Sequence, residues 1–292
     1  MTSKVIAFGR EHLHRSSMGS ADLPLSIPRQ SDADVGGLLR QWRTARRLSQ
    51  LDLSLDADVS SRHLSYVETG RSQPSREMVL RLADALQIPL RERNALLLAA
   101  GYAPRYSETS LAAPEMAQMR SAIELILRHQ EPYPAFLLDR HWDIRMSNQA
   151  APRCTRFLLG AEPAESNMMR LVLHPDGLRP TMVNWEETAG DLVRHLHSQI
   201  AASPSDERAK GLLAEVLAYP GVPAHWRTRE ISPPPTPLLT TIFRKGDVEL
   251  RFFSTITAFG APHDVTLEEL RIESSFPADE ATIVACRELF GS

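Results

Sequence analysis

The sequence of 292 residues contains only two cysteines, Cys154 and Cys286, which lie far apart and without nearby residues at metal-ligand spacing. This scarcity argues against a disulfide framework and against a zinc site. No apolar run approaches the roughly 20 residues that are needed to span a bilayer, and the first 17 residues lack the apolar core of a signal peptide. We therefore expect a cytoplasmic protein without a membrane partner.

Sequence motifs for catalysis are also missing. No glycine-rich phosphate loop, GxSxG elbow or HExxH sequence occurs. His195 and His197 stand two positions apart, so on a helix they point to different faces and make a poor metal pair. The sequence predicts neither an enzyme nor a metal or cofactor site.

Charge is distributed unevenly along the chain, although the net charge is only −3. Residues 35–105 carry 11 Arg against 7 acidic residues, whereas residues 106–292 carry 18 Lys and Arg against 25 acidic residues. Cations on a phosphate-facing surface supply the sequence-independent part of nucleic-acid affinity. A basic segment beside an acidic one therefore favours DNA binding by the first, with chance drift of charge as the alternative.

Hydrophobic periodicity divides the N-terminal part of the chain. Residues 1–34 mix Ser, Pro, Gly and charges without periodicity, which is typical of a flexible tail. From Val35 onward, apolar residues at helical spacing, serine caps and Gly or Pro stops predict a first helix and then helices at 49–56, 61–68, 75–86 and 91–100. Residues 35–105 should therefore form a compact all-α domain of five helices.

The remaining chain mixes helices and strands. Residues 106–131 are predicted to be a linker with a connector helix over 115–130, which could lie against the next domain or a partner subunit. Residues 132–292 should form an α+β domain. Its predicted elements are a strand-turn-strand-helix unit over 135–151, helices at 183–202 and 205–219, a hairpin centred on Lys245-Gly246-Asp247, a strand run over 267–277 and a helix at 279–290.

Two of the predicted helices form a candidate DNA-binding motif. A short turn joins them, and the second opens with small polar residues and keeps its apolar positions on one face, which leaves the other face for a major groove. The sequence Leu48-Ser49-Gln50, then VSSRHLSYVETGRSQPS and a helix ending in LADAL, resembles the helix-turn-helix domain of the phage-repressor and XRE family. The resemblance covers about 70 residues and includes the whole helix order.

This resemblance implies double-stranded DNA as a partner and assigns roles to individual residues. They are Gln50 and Ser60 for phosphates, Ser61, Arg62 and Tyr66 for base edges, His63 and Ser65 for base or phosphate, and Arg71 for the DNA backbone. Arg62 is the preferred reader, since a guanidinium can pair with guanine O6 and N7. Arg43 and Glu68 match a family ion pair that links the first helix to the third. The alternatives are solvated surface for each residue and a protein-interaction module for the whole bundle.

A second resemblance lies in the C-terminal part. The segment FLLDRHWDIRMSNQAA is similar to the opening of PAS-like domains, where an Asn after the second strand starts a helix, and Asn148 matches that position. Asn167-Met168-Met169-Arg170, the stretch around Trp185, the His225-Trp226 pair and SFPADEAT follow in order. Together they resemble the MmyB-like ligand-binding domain that follows an XRE-type domain in many regulators. The resemblance implies a small apolar or amphipathic ligand, such as a fatty-acid-like molecule, between sheet and helices.

A pocket of this kind needs mostly apolar and aromatic lining with a few polar groups. The candidate ligand-binding residues are Trp142, Met146, Asn148, Met168, Met169, Arg170, Trp185, Trp226, Arg251 and Phe252, with Arg170 or Arg251 facing an anionic head group such as a carboxylate. Core packing is the alternative for the apolar residues, and surface ion pairing is the alternative for the arginines. The sequence departs from many relatives at SPPPTPLLTTIF, before the hairpin, which affects the expected shape of the pocket mouth.

The sequence as a whole predicts a multidomain regulator with an all-α helix-turn-helix domain followed by an α+β PAS-like domain. We expect a homodimer on a near-palindromic operator, with half-sites about one helical turn apart. A small-molecule effector would change the relative placement of the two DNA-binding heads through the 115–130 helix. The alternative is a DNA-binding regulator whose C-terminal domain only dimerises or binds another protein, without a ligand.

Overall fold

The computed structural model describes residues 6–7, 34–228, 238–260 and 262–291. Their contacts divide them into two compact units, one formed by 34–108 with 263–265 and the other by the remaining described residues. Most of the predicted tail over 1–34 lies outside the described residues, as does the 232–237 part of the proline-rich stretch before the hairpin. Ile6 and Ala7, within the predicted tail, form a short strand.

The first unit consists of five helices. They are α1 (Val35–Ala45), α2 (Gln50–Asp56), α3 (Ser61–Glu68), α4 (Arg76–Ala85) and α5 (Leu90–Ala99). Ser49, Ser60 and Ser75 cap α2, α3 and α4, and each accepts a hydrogen bond from the backbone N–H three residues later. Because these caps fix where the chain turns into a helix, the predicted boundaries of α2 to α5 lie within one residue of those observed.

The helices of this unit pack closely around a core that includes Leu39, Leu53, Leu64 and Leu82, all fully buried. The closest approach is between α1 and α3 at Gly36, where a Cβ would stand 2.1 Å from the carbonyl oxygen of Val67. The leucines of α2 occupy alternate positions, so Leu51 and Leu55 share one face of the helix and Leu53 points to the opposite face. Leu53 is the one buried in this core, while Leu51 and Leu55 are exposed.

The second unit is α+β, as predicted. Its helices are α6 (Ala117–His129), α7 (Ala150–Leu159), α8 (Met168–Leu173), α9 (Trp185–Ala202), α10 (Glu207–Leu217), α11 (Val265–Glu269, whose first residue belongs to the first unit) and α12 (Glu280–Leu289). Its strands are β1 (Ile6–Ala7), β2 (Ala135–Leu138), β3 (Ile144–Ser147), β4 (Thr240–Lys245), β5 (Val248–Ala258) and β6 (Arg271–Pro277). They form one antiparallel sheet in the order β1-β3-β2-β6-β5-β4.

Most sequence predictions for this unit are confirmed, with one correction. The hairpin forms between β4 and β5, and Gly246 takes the positive φ of +56° that its tight turn requires. The strand run predicted over 267–277 is only partly right, because residues 267–269 belong to α11 and the strand begins at Arg271. Leu267 and Leu270 both pack in the cluster around Ile123, and their spacing of three suits a helical turn rather than a strand.

Both faces of the sheet are covered. On one face α6 packs against the sheet through Ile123 and Leu127, which are fully buried in a cluster with Leu137 and Ile272. Ile126, on the same helix, is 41% exposed. The other face of the sheet looks toward α7, α8 and α9. None of the helices in the described ranges is long and apolar enough to cross a membrane.

Candidate functional site

The outer face of α3 is the candidate DNA-reading surface. Leu64 and Val67 point into the core, so the periodicity of the helix turns the intervening residues outward. Ser61, Arg62 and His63 are exposed, and Ser65 and Tyr66 are half-buried. The structure thus brings the five α3 residues predicted from the sequence onto one short helix, with Ser60 at its cap and the exposed Arg71 just beyond its end.

Arg62 is held in place by Tyr66, one turn further along α3. The Arg62 Nε donates a hydrogen bond to the Tyr66 hydroxyl at 3.1 Å, and the guanidinium carbon lies 5.5 Å from the centre of the tyrosine ring. This contact uses the Nε–H of the guanidinium. The two terminal amino groups of an arginine are the ones that form a fork for guanine, so the contact with Tyr66 orients Arg62 without using that fork.

Gln50 at the start of α2 is tied to α3. Its Nε2 donates to Glu68 Oε2 at 2.7 Å, and the same carboxylate receives Arg43 Nε at 2.7 Å and Arg43 Nη2 at 3.0 Å. Burial opposes the charge on Glu68, but the hydrogen bonds from Arg43 and Gln50 and the charge of Arg43 outweigh it and lower the pKa of the carboxyl. Glu68 therefore joins α1, α2 and α3 and fixes the Gln50 side chain.

The remaining residues predicted to contact DNA differ in their hydrogen-bond partners. Ser60 Oγ accepts a hydrogen bond from the backbone N–H of His63 at 3.1 Å, so its lone pairs serve the cap while its hydroxyl proton can still be donated. His63 Nε2 lies 3.4 Å from Ser72 Oγ. The carbonyl of Ser65 accepts the hydroxyl of Thr69. These positions are compatible with phosphate or base contacts.

A cavity in the second unit is the candidate ligand site. It occupies about 720 Å³, its opening to solvent included, between the sheet and α7, α8 and α9. The helices and connecting segments contribute Pro134, Ala151, Cys154, Thr155, Leu158, Met168, Leu171, Val172, Leu178, Met182, Thr188 and Leu192, and the sheet contributes Phe136, Thr241, Phe243, Phe252, Ser254, Glu273 and Ser275.

Only two of the ten residues predicted to bind ligand, Met168 and Phe252, line this cavity. Met169, Trp185 and Trp226 are buried in the core next to it, where Trp185 Nε1 donates to the carbonyl of Val172. They support the cavity wall from behind rather than forming its surface.

The other five predicted ligand residues lie elsewhere. Met146 belongs to the cluster on the opposite face of the sheet, and Arg271 stacks over Trp142. Asn148 bridges the chain locally, since its Oδ1 accepts from the N–H groups of Ala135 and Ala151. Arg170 is paired with Glu215, and Arg251 with Glu249. The expected facing of these two arginines toward an anionic ligand is therefore corrected, because both reach acidic side chains outside the cavity.

The sequence reasoning missed the polar residues of the cavity. Thr155 and Thr188 stand on α7 and α9, and the others stand on strands, Thr241 on β4, Ser254 on β5, and Glu273 and Ser275 on β6. Alternation was visible in Val248, Leu250 and Phe252, and extending it by one step reaches Ser254. That signal was incomplete because polar residues at inward strand positions resemble solvent-facing ones when only the sequence is known.

Glu273 is the one described lining residue that can carry a charge at neutral pH. Burial raises the pKa of its carboxyl, although the Ser254 hydroxyl donates a hydrogen bond to it and the charges of Arg271 and His195 act in the opposite direction. Arg271 lies outside the lining, with its guanidinium carbon 3.7 Å from the centre of the Trp142 ring. Its Nε and Nη2 are enclosed, with no hydrogen-bond partner among the described residues, and burial lowers its pKa to about 10.

Comparison with known families assigns a domain family to each of the two units. Residues 34–96 match a helix-turn-helix domain family, and residues 119–289 match the family described as the MmyB-like transcription regulator ligand binding domain. The second match covers more than half of the chain.

The chain belongs to the MmyB-like transcription regulators. No curated protein matches its sequence. As an MmyB-like regulator it joins a DNA-binding helix-turn-helix unit to a ligand-binding unit, which are families of transcription regulators rather than of enzymes. The described residues contain no group of three or more His, Cys, Asp or Glu side chains that could hold a metal ion.

Proposed function

We propose that this MmyB-like regulator reads a specific DNA sequence through α3 and senses a small apolar or amphipathic ligand in the cavity of its second unit. It is not an enzyme under this proposal. The observation that carries the proposal is a largely apolar cavity in a chain that also holds a helix-turn-helix unit. Apolar lining with a few polar groups is the usual form of a small-molecule site, and it favours a ligand sensor over the alternative in which the second unit only dimerises or recruits a protein.

Arg62 is the residue expected to carry most of the base discrimination. Its exposed guanidinium is oriented by Tyr66, and a bidentate pair with guanine contributes about 1–3 kcal/mol of discrimination. Ser61 and Tyr66 would contribute further base contacts. Gln50, Ser60 and Arg71 would contact phosphates, with His63 and Ser65 at flanking positions, and these contacts position the helix in the groove.

DNA selection from a random duplex pool tests this assignment. The wild-type protein should enrich one motif, and its affinity for that motif should fall steeply with salt concentration. Arg62→Ala should lower affinity for the selected duplex by about tenfold or more and relax the preference at one base pair. Arg156→Ala, which removes an exposed arginine of the second unit, serves as the matched control. If Arg62→Ala and Gln50→Ala both left selected-site affinity unchanged, the recognition-helix assignment would be wrong.

A homodimer is the expected assembly, since helix-turn-helix proteins commonly bind two half-sites related by a two-fold axis. Light scattering of the purified protein should give twice the chain mass of 32.6 kDa. The selected motif should be an inverted repeat with half-site centres about one helical turn apart. A monomeric mass together with a single half-site would overturn this part of the proposal.

The sheet offers a route from ligand to connector helix. On β2 and β6, Phe136 and Glu273 face the cavity, while Leu137 and Ile272 face α6. A ligand that shifts these two strands would therefore change how α6 packs against the sheet. Helix α6 directly precedes β2 in the chain. Coupling to DNA binding requires that the ligand favour one of two arrangements of this element.

Native mass spectrometry tests the sensor directly. Protein purified without detergent is compared under native and denaturing conditions, and any released small molecule is identified. A stoichiometric adduct supports a ligand site, and Leu192→Trp, which fills part of the cavity from its half-buried wall, should lose it. An adduct that survives Leu192→Trp would lie outside the cavity. A protein that carries no adduct and takes up none of the probes described below would favour the dimerisation-only alternative.

A further inference from the structure

We propose that the cavity selects an amphiphile whose polar end donates a hydrogen bond, such as an alcohol, an amide or an amine, and discriminates against a carboxylate. This inference rests on the proposed sensor function and assigns the chemistry of its ligand. The juxtaposition that carries it is Glu273 beside Ser254 in an otherwise apolar and hydroxyl-bearing wall that contains no described Lys or Arg.

The wall of the cavity is divided by chemistry. Most of it is aliphatic or aromatic and suits a hydrocarbon chain. Three of its hydroxyl groups already have partners, since Thr155 donates to the carbonyl of Ala151 and the Thr188 and Thr241 hydroxyls face each other at 3.5 Å. The carboxyl of Glu273 is thus the strongest polar group that a ligand can meet.

Glu273 is placed to accept a hydrogen bond from a ligand. It lies on β6 between β2 and β5, on the face that also presents Ser275 to the cavity. Ser254 on β5 also lines the cavity and lies beside the Glu273 carboxyl. A carboxyl group has several lone-pair positions, so acceptor capacity remains for a ligand O–H or N–H. A carboxylate ligand would instead place a second acidic group beside it, and two carboxyl groups that share a site of low solvent exposure ionise together only at a cost.

The cations near Glu273 do not replace it as a binding group. Arg271 precedes it by two positions on the same face of β6, but its guanidinium is stacked on Trp142 and lies outside the cavity lining. His195 on α9 is also outside the lining, and its Nδ1 lies 2.9 Å from the carbonyl of Asp191. These two groups moderate the charge on Glu273 from behind the wall.

Three probes with the same hydrocarbon chain separate the possible head groups. Dodecanol, dodecylamine and dodecanoate are titrated into full-length ligand-free protein at pH 7.5, below their aggregation concentrations, with calorimetry as the readout. Dodecanol and dodecylamine should bind about tenfold or more tightly than dodecanoate. Dodecanoate binding as tightly as the other two would overturn the head-group proposal and leave the sensor function standing.

Glu273→Gln provides the second test, because glutamine keeps the shape of the side chain and removes its charge. It should raise dodecanoate affinity and lower dodecylamine affinity, each by about tenfold, with little change for dodecanol. Glu288→Gln, exposed on α12, removes the same charge outside the cavity and should change none of the three affinities. Unchanged probe preferences in Glu273→Gln would contradict the proposal. If none of the three probes bound to either protein, both the head-group proposal and the proposed sensor function would fall.

Discussion

Two carboxyl groups, the buried Glu68 on α3 and the half-buried Glu273 on β6, show how the two units use polar groups differently. Glu68 receives three hydrogen bonds from Arg43 and Gln50, and its pKa is lowered. Glu273 receives a hydrogen bond from Ser254, and burial raises its pKa. The Glu68 carboxylate is occupied by hydrogen bonds within the first unit. The Glu273 carboxyl can still accept a hydrogen bond from a group in the cavity. An acidic residue that the fold leaves incompletely paired is therefore the better candidate for ligand recognition.

The two units also differ in how tightly their elements pack. In the first unit α1 and α3 approach so closely at Gly36 that no side chain fits between them. In the second unit the sheet and three helices leave a cavity between them. A unit that must present α3 rigidly gains from tight packing, while a unit that admits a ligand must give up part of its core contacts.

The largest expected effect comes from Gly36→Ala. The added Cβ would stand 2.1 Å from the Val67 carbonyl oxygen, which is backbone and cannot move aside without separating α1 from α3. We expect a loss of about 5 kcal/mol, enough to unfold much of the first unit and abolish DNA binding. Circular dichroism during urea unfolding measures the loss.

Gly37→Ala is the matched control, one position further along α1. No atom lies within 4 Å of its added Cβ, so the substitution should stabilise the helix by about 0.5–1 kcal/mol through its higher helix propensity. Equal stability of the two alanine variants would mean that the close approach of α1 and α3 does not limit this unit.

The next effect is expected from Glu68→Ala. The side chains of Arg43 and Glu68 are only 13% and 1% exposed, so removal of the carboxylate leaves a buried guanidinium and the Gln50 amide without their partner. The loss should be about 3–4 kcal/mol in urea unfolding. Glu77→Ala breaks an exposed pair with Arg81 on α4 and should leave the unfolding midpoint nearly unchanged.

The pH dependence of this effect has a definite sign. The folded-state pKa of Glu68 lies below the unfolded value of about 4.3, so its contribution is present above that pH. It is lost as pH falls through the folded-state pKa. The stability difference between wild type and Glu68→Ala should therefore shrink below about pH 4. A difference that stayed constant down to pH 2 would contradict the ion-pair explanation.

The first unit was readable from the sequence nearly residue by residue. Its caps are local, since Ser60 bonds an N–H three residues later, and its core residues recur at helical spacing. The Arg43–Glu68 pair links helices 25 positions apart in sequence and was predicted only by family resemblance. Local rules together with a strong resemblance thus gave both the helices and the candidate DNA-reading surface, whose DNA contacts stay a prediction.

The cavity was less readable for a physical reason. Its lining comes from α7, α8, α9 and strands that are joined only in the folded sheet, so no sequence window contains it. Trp142 and Met146 carry the expected chemistry, but side-chain direction in a strand alternates, and Met146 points to the α6 side. Glu273 shows the opposite case. It lines the cavity, but a charged residue on a strand is expected to face solvent when only the sequence is known.

The smallest effect, and the one that bears most directly on the comparison, is expected from Glu273→Gln in ligand-free protein. Because burial raises the folded-state pKa of Glu273 above the unfolded value of about 4.3, its favourable contribution is complete below that pH. That contribution is lost as pH rises through the folded-state pKa. The glutamine variant should therefore match wild type near pH 4 and become the more stable protein toward pH 8, by about 1.4 kcal/mol for each unit of pKa shift.

Urea midpoints across this range give the difference, and His195 and Arg271, the charged neighbours, are common to both proteins. A variant less stable than wild type at pH 8 would mean that the Glu273 carboxylate is satisfied by the fold, as Glu68 is, and is not held available for a ligand.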